Sequence, residues 1–246
     1  MNRECAILIG FIIILAIGVT EGAFGEAKTL QRIDAKALIR MIDNRESVIP
    51  VHVGGYLECM DAMISGSLCG SCDQDNSIQL PPSKETKLVF YDGSVPLTSE
   101  CRIIEEAVRQ GYSRLYILKG GLPGWRRLGY DIVSTQRVPR VSIISIKPKD
   151  IDDRSKNAGN LLILDIRSAD AFKNNHIKDA MNISMSLLHL RYQEIPLDRP
   201  VVVVDEDGSR SFLAASYLFR KGFKSIERLA GGMSAWDAYV KKGSKK

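Results

Sequence analysis

The cysteines of this chain are the residues whose type and spacing point most directly to chemistry. Four of the five, Cys59, Cys69, Cys72 and Cys101, lie in one stretch of the first half. Cys69-Gly-Ser-Cys72 has the C-x-x-C spacing of redox pairs and of half a zinc site. An even number of neighbouring cysteines is also typical of disulfides in an oxidising compartment. We therefore expect one or two disulfides and no bound metal, with thiol-redox or sulfur chemistry at Cys69 and Cys72 as the alternative.

Two aspartates, Asp92 and Asp205, each follow a buried-type strand in two similar stretches of sequence. In both, a short loop, a helix-like run, a second strand and a Gly-Gly-x-x-x-Trp turn come next. An aspartate can act as a covalent nucleophile, but such chemistry needs a metal or an activated water, and no second acidic motif supplies either. The loop residues are Gly93 and Ser94 in the first copy and Glu206, Asp207, Gly208, Ser209 and Arg210 in the second.

The elements that position these aspartates are those of a parallel, helix-covered sheet. The continuous apolar run 161–166 is typical of a strand with helices on both faces. A helix is predicted over residues 34–43, with Asp34 as its N-cap. Strands alternating with helices indicate an α/β fold. Residues 149–156 are interpreted as a polar lead-in to the second half.

Together, these repeated stretches resemble the C-terminal half of a rhodanese (thiosulfate sulfurtransferase) domain, present in tandem. The second copy also has Asp165-Ile-Arg167 and His176-Ile-Lys-Asp-Ala-Met-Asn-Ile183, similar to the Asp-x-Arg and Gly-His-Ile-Pro-Gly-Ala-x-Asn-Ile segments of that family. The first copy has His52-Val-Gly54 instead and is the more divergent. The resemblance implies two rhodanese-like domains, at 28–134 and 143–246, each a mostly parallel sheet covered by helices, with a linker at 135–142.

The family's catalytic cysteine is the residue that ends the strand, where Asp92 and Asp205 stand here. In that family, inward-pointing N–H groups of the loop stabilise the thiolate of this cysteine, and the thiolate becomes a persulfide when it takes up sulfur. An aspartate cannot hold a persulfide, so the resemblance implies no classical sulfurtransferase activity and no cofactor. We expect both carboxylates to act as structural plugs that accept the N–H bonds of the loops. Arg210 is expected to face the acids of its own loop or to cap it.

The histidines and tryptophans give weaker signals. His176 lies in a segment that the resemblance assigns to a structural turn. His52 and His189 have no partner that the sequence reveals. Trp125 and Trp236 follow the Gly-Gly turns and are expected to pack on the core, as large aromatic side chains usually do.

The first residues of the chain differ in composition from the rest. Met1-Asn-Arg3 gives a positive start, and Ala6 to Val19 is an apolar run of fourteen residues. Residues 1–25 therefore predict a signal peptide, or else an N-terminal anchor attached to the membrane through residues 5–20. Either interpretation places the remaining chain outside the cytoplasm, in the periplasm or facing outward from a membrane.

Composition narrows the possible functions further. The 246 residues carry a net charge of +5, with the lysines and arginines dispersed except at the C-terminal tail. Such a distribution does not indicate nucleic-acid binding. Two functions remain open: a non-catalytic module that binds a protein partner or a small sulfur-bearing ligand, and a sulfur-transfer or thiol-redox enzyme that uses Cys69 and Cys72.

Overall fold

The computed structural model describes residues 30–72, 78–92, 97, 101–138, 140–157 and 160–243. The predicted leader at 1–25, with its apolar segment 5–20, and the loop residues Gly93 and Ser94 lie outside the described residues. Within the described ranges, none of the helices has the length and apolarity that crossing a membrane would require.

The first domain is built on a five-stranded parallel sheet with the strand order β1-β6-β5-β2-β4. A separate antiparallel pair, β3 with β7, lies beside it. The elements are β1 (Gln31–Ile33), α1 (Ala35–Asp43), β2 (Val48–His52), α2 (Tyr56–Asp61), β3 (Met63–Ile64), β4 (Leu68–Cys69), β5 (Lys87–Tyr91), α3 (Arg102–Arg109), β6 (Leu115–Leu118), α4 (Gly121–Arg127) and β7 (Ile132–Val133).

The second domain repeats this topology. Its five parallel strands have the order β8-β12-β11-β9-β10, which matches the order in the first sheet strand for strand. The two halves are therefore tandem α/β units. The elements are β8 (Ile144–Ile146), α5 (Pro148–Asn157), β9 (Leu162–Asp165), α6 (Ala169–Asn174), β10 (Met181–Asn182), α7 (Leu188–Arg191), a 3-10 turn (Tyr192–Glu194), β11 (Val201–Val204), α8 (Ser211–Arg220), β12 (Ile226–Leu229) and α9 (Gly232–Gly243).

The central strands of both sheets are buried on both faces. In β5, Leu88 and Phe90 enter one hydrophobic cluster, and Val89 and Tyr91 enter another on the opposite face. The four valines of β11 alternate in the same way between two clusters. This alternation follows from the two-residue period of a strand. It explains why the central strands are continuous apolar runs rather than mixed ones.

Most predicted elements are confirmed, with one clear error. Helix α1 begins after Asp34, whose side chain accepts a hydrogen bond from the Ala37 N–H at 2.7 Å. The segment interpreted as a polar lead-in, 149–156, is instead helical and belongs to α5. Its fully buried Ile151 anchors the helix to the core, and Lys149–Asp153 and Asp152–Lys156 form pairs along the exposed side. A single buried apolar residue does not show the 3.6-residue repeat by which a helix is predicted from sequence.

Candidate functional site

Asp92 and Asp205 lie at equivalent places, just after the central strands β5 and β11. Both are buried, with 8% and 2% of their surface exposed. The Asp92 carbonyl oxygen accepts a hydrogen bond from the Leu122 N–H at 2.9 Å, and the Asp205 carbonyl oxygen accepts one from the Met233 N–H at 2.8 Å. Each Gly-Gly turn is thus bonded to the strand end that carries the aspartate.

Glycine is required in these turns because the backbones touch. A Cβ on Gly121 would lie 2.3 Å from the Asp92 carbonyl oxygen, and one on Gly232 would lie 2.5 Å from that of Asp205. Both glycines also have positive φ angles, 51° and 56°. Any L side chain would therefore meet both a clash and a strained backbone. The second glycine of each repeat is explained by its contact with the candidate site.

The Asp205 carboxylate is enclosed by the backbone of its own loop. Oδ1 accepts a hydrogen bond from the Gly208 N–H at 2.8 Å. Oδ2 accepts from the N–H groups of Arg210, at 2.6 Å, and Ser211, at 2.9 Å. Three inward-pointing donors at the start of α8 are thus satisfied by one side chain, which is the arrangement expected for a structural plug.

A cleft of about 170 Å³ lies beside this loop, lined by residues 166–168 after β9, by Ala171 of α6, and by residues 205–207, 209 and 210 of the loop. At its edge, Arg167 donates to both Asp165 oxygens and to Glu206. Hydrogen bonding from Ser209 holds the pKa of Asp207 below its usual value. Glu206 and Asp207 therefore bring negative charge to the cleft, and the Arg167 guanidinium is already engaged by carboxylates.

Arg210 was expected to face the acids of its own loop or to cap it, and it stands at the N-cap of α8, while its described ion pairs are with the first domain. Its side chain crosses to the first domain, where Nε donates to Glu58 Oε1 at 2.9 Å and Nη2 approaches both Asp92 oxygens at 3.2 Å. Its backbone N–H donates to Asp205 in its own loop. Glu58 was not singled out from the sequence, because a lone glutamate in a short helix carries no motif. The two aspartate loops are thus linked through one arginine.

His52 has partners that the sequence did not reveal. It ends β2, is fully buried, and meets the Tyr91 ring edge-on with centroids 5.0 Å apart. Its Nδ1 accepts a hydrogen bond from the Gly54 N–H at 3.1 Å. Burial lowers the pKa of His52 to about 4, with Asp92 opposing that shift and Arg210 adding to it. The imidazole is therefore neutral near pH 7.

The four described cysteines form two disulfides, Cys59–Cys69 and Cys72–Cys101. The two cysteines of the C-x-x-C motif are not bonded to each other, because each has a partner elsewhere in the first domain. The Cys59–Cys69 bond fastens α2 to β4, and the Cys72–Cys101 bond reaches the start of α3. Among the described residues, no group of His, Cys, Asp and Glu side chains is placed to hold a metal ion.

The remaining singled-out residues lie where packing explains them. His176 stacks on Phe172 and contacts its carbonyl oxygen through Nδ1, within the turn after α6. Trp125 is buried and donates to the Asp131 carbonyl oxygen at 2.8 Å. Trp236 packs against the hydrophobic cluster that contains Val202 and Val204 of β11.

Comparison with protein families matches residues 147–239 to the model of the rhodanese-like domain. A sulfurtransferase of Allochromatium vinosum is 34% identical over 91 residues, which cover 37% of this chain and 85% of that protein. The thiosulfate sulfurtransferase GlpE of Shewanella oneidensis is 40% identical over 79 residues, covering 32% of this chain and 78% of that protein.

Among solved structures, the thiosulfate sulfurtransferase of Pseudomonas aeruginosa covers 82% of this chain and 43% of its own, with 16% identity and a TM-score of 0.38. A rhodanese-related protein of Thermoplasma volcanium covers 41% of this chain and 93% of its own, with 25% identity and a TM-score of 0.36.

Proposed function

The chain belongs to the rhodanese-like sulfurtransferase family, and from this premise we propose that it is a member that does not transfer sulfur at its strand ends. It acts instead as a binding or structural module, with a protein or a small sulfur-bearing molecule as its partner. The observation that carries the proposal is the Asp205 carboxylate, which accepts three backbone N–H bonds of its loop. Those donors are the groups that hold a thiolate in an active member of the family.

The charges around the loop support the same conclusion. Thiosulfate is a dianion, and its approach to the cleft meets Glu206 and Asp207. Arg167, which could attract an anion, is already paired with Asp165 and Glu206. The sequence of the second domain contains no cysteine that could carry the sulfur.

The test places a cysteine sulfur at position 205, where an active member of the family carries one. Purified wild-type protein is expected to produce thiocyanate from thiosulfate and cyanide no faster than the uncatalysed background. Asp205→Cys places a thiol among the three N–H donors. After incubation with thiosulfate, its thiolate is expected to bond to the outer sulfur as the S–S bond of thiosulfate breaks and sulfite leaves, so that the protein gains the mass of one sulfur atom. Asp207→Cys, two residues along the same loop, is the matched control and is expected to gain none. Robust thiocyanate production by the wild-type protein would overturn the proposal.

We further propose that residues 1–25 export the protein, so that the two domains work in the periplasm or on the outer side of a membrane. The support is the apolar run of the leader and the presence of two disulfides, which persist in oxidising compartments. A C-terminal alkaline phosphatase fusion is expected to be active with the leader and inactive when residues 2–25 are deleted. Equal phosphatase activity in both fusions would contradict export by this segment.

A further inference from the structure

Arg210 belongs to the second domain by its backbone and binds the first domain with its side chain. Its N–H is tied to Asp205 at 2.6 Å, which fixes the position of its Cα at the start of α8. From there the side chain reaches residues that lie 152 and 118 positions earlier in the sequence. Its guanidinium is therefore presented to the first domain from a rigid support.

The receiving carboxylates come from two different elements of the first domain. Glu58 lies on α2 and Asp92 follows β5. Only 9% of each of these side chains is exposed, against 22% for Arg210, so water screens this cluster weakly. A guanidinium is planar and has several fixed donors, so it can bind two carboxylates at once, which an ammonium group does less well.

Among the residues that the structure describes, no arginine of the first domain stands two residues after the end of β2. In the second domain, Arg167 follows Asp165 by two residues and binds it. The equivalent positions in the first domain are His52, which ends β2, and Gly54. A Cβ on Gly54 would lie 2.5 Å from Glu58 Oε2 and 2.8 Å from His52 Cε1. Glycine at position 54 thus leaves the space that the Glu58 carboxylate occupies, and the arginine arrives from the other domain.

His52 also lies at this edge, where β2 ends, and its neutral ring adds no positive charge. It is buried, and its Nε2 has no hydrogen-bond partner among the described residues. Its ring is neutral near pH 7, as burial dictates. The Arg210 guanidinium therefore lies against two carboxylates and beside a neutral ring.

We propose that the carboxyl edge of the first domain is a guanidinium-binding site, formed by Glu58 and Asp92, and that Arg210 fills it as a tethered ligand. Covalent linkage gives Arg210 a high effective concentration, so the site is occupied without any added ligand. This inference goes beyond the proposed function, since it assigns the first domain a ligand class and makes the second domain the carrier of that ligand.

The experiment removes the Arg210 side chain from the site and then supplies a free guanidinium compound. Arg210→Ala is expected to bind methylguanidine, measured by calorimetry, at least tenfold more tightly than the wild-type protein, whose site is filled. Methylguanidine is also expected to raise the Tm of this variant. Arg191→Ala is the matched control, because Arg191 pairs with Glu194 on the exposed surface of the second domain. If Arg210→Ala responds to methylguanidine no more than Arg191→Ala does, the proposal is wrong.

A second measurement keeps the proposal testable should Arg210→Ala fail to fold. Arg210→Lys, in a double-mutant cycle with Glu58→Gln, keeps both side chains nearly the same size. Arg210→Lys is expected to change the unfolding equilibrium constant at least tenfold when Glu58 is present and by a clearly smaller factor in the Glu58→Gln background, where Asp92 still binds the guanidinium. Equal effects in the two backgrounds would show that the guanidinium and Glu58 act independently, and the site would be rejected.

Discussion

The ring of Tyr56 in the first domain stacks on the ring of His189 in the second, with centroids 4.5 Å apart and planes inclined by 22°. Tyr56 begins α2, whose next residue, Leu57, packs in the core of the second domain and is 4% exposed. Just before it, the Gly55 backbone lies so close to Ser186 that a Cβ would come within 3.0 Å of the Ser186 Cα. Helix α2 belongs to the first domain by sequence and to both domains by packing.

Leu57→Ala is expected to destabilise the second domain, although the residue lies in the first. Removing a buried leucine costs about 2–5 kcal/mol through lost burial and a residual cavity. Hydrogen exchange of β9 and β11 is expected to accelerate accordingly. Leu128→Ala removes a leucine that is 48% exposed and serves as the control, with a change of less than about 0.5 kcal/mol. Unaltered exchange in both strands would contradict the shared core.

Asp205→Ala is expected to lower the free energy of unfolding of the second domain by about 3 kcal/mol, because three buried or partly buried backbone donors lose their acceptor. Urea denaturation followed by circular dichroism measures this change. Asp207→Ala is the control in the same loop, since the backbone bond that Asp207 accepts from the Ser209 N–H lies at an exposed site. An unchanged Tm for Asp205→Ala would remove the support for a structural plug.

His52 is expected to make the protein sensitive to acid. Its pKa of about 4 in the folded state lies below the ordinary histidine value of 6.5, so the unfolded chain takes up the proton first. The contribution of neutral His52 to the free energy of unfolding is complete above pH 6.5 and is lost as the pH falls towards 4. Between pH 7 and pH 5 this loss amounts to about 2 kcal/mol.

The measurement for His52 compares two proteins at two pH values. His52→Asn retains an acceptor for the Gly54 N–H but has no ionisable ring. Its stability is expected to fall less than that of the wild-type protein between pH 7 and pH 5, as judged from urea midpoints. Parallel losses in the two proteins would show that His52 is not the titrating group.

Both disulfides are expected to be present in the folded, exported protein. In a Cys5→Ser background, a thiol count on the denatured, unreduced chain is expected to give none, and four free thiols would exclude both bonds. The Cys72–Cys101 bond spans 29 positions and the Cys59–Cys69 bond spans 10. Replacing both cysteines of a pair by serine is therefore expected to cost about 4 kcal/mol for the first pair and about 3 kcal/mol for the second.

Local patterns in the sequence were sufficient for the inner strands of both sheets, the α/β class and the tandem organisation, but not for the short edge strands. The valines before Asp205 and the leucine-rich run before Arg167 are continuous because both faces of those strands are covered. The Gly-Gly turns recur because a carbonyl oxygen occupies the space of their side chains. Helix α5 was missed since its single buried residue, Ile151, leaves no periodic pattern to detect.

The sequence by itself determined the two domains and the aspartates at their strand ends, since strand periodicity and turn glycines are local properties. Only the tertiary structure decided that Arg210 binds Glu58 and Asp92, that Leu57 enters the second core, and which cysteines pair. These contacts join residues far apart in sequence, and they depend on how one domain packs against the other. No local spacing encodes that packing, because burial and charge neutralisation are satisfied only when both domains are folded and in contact.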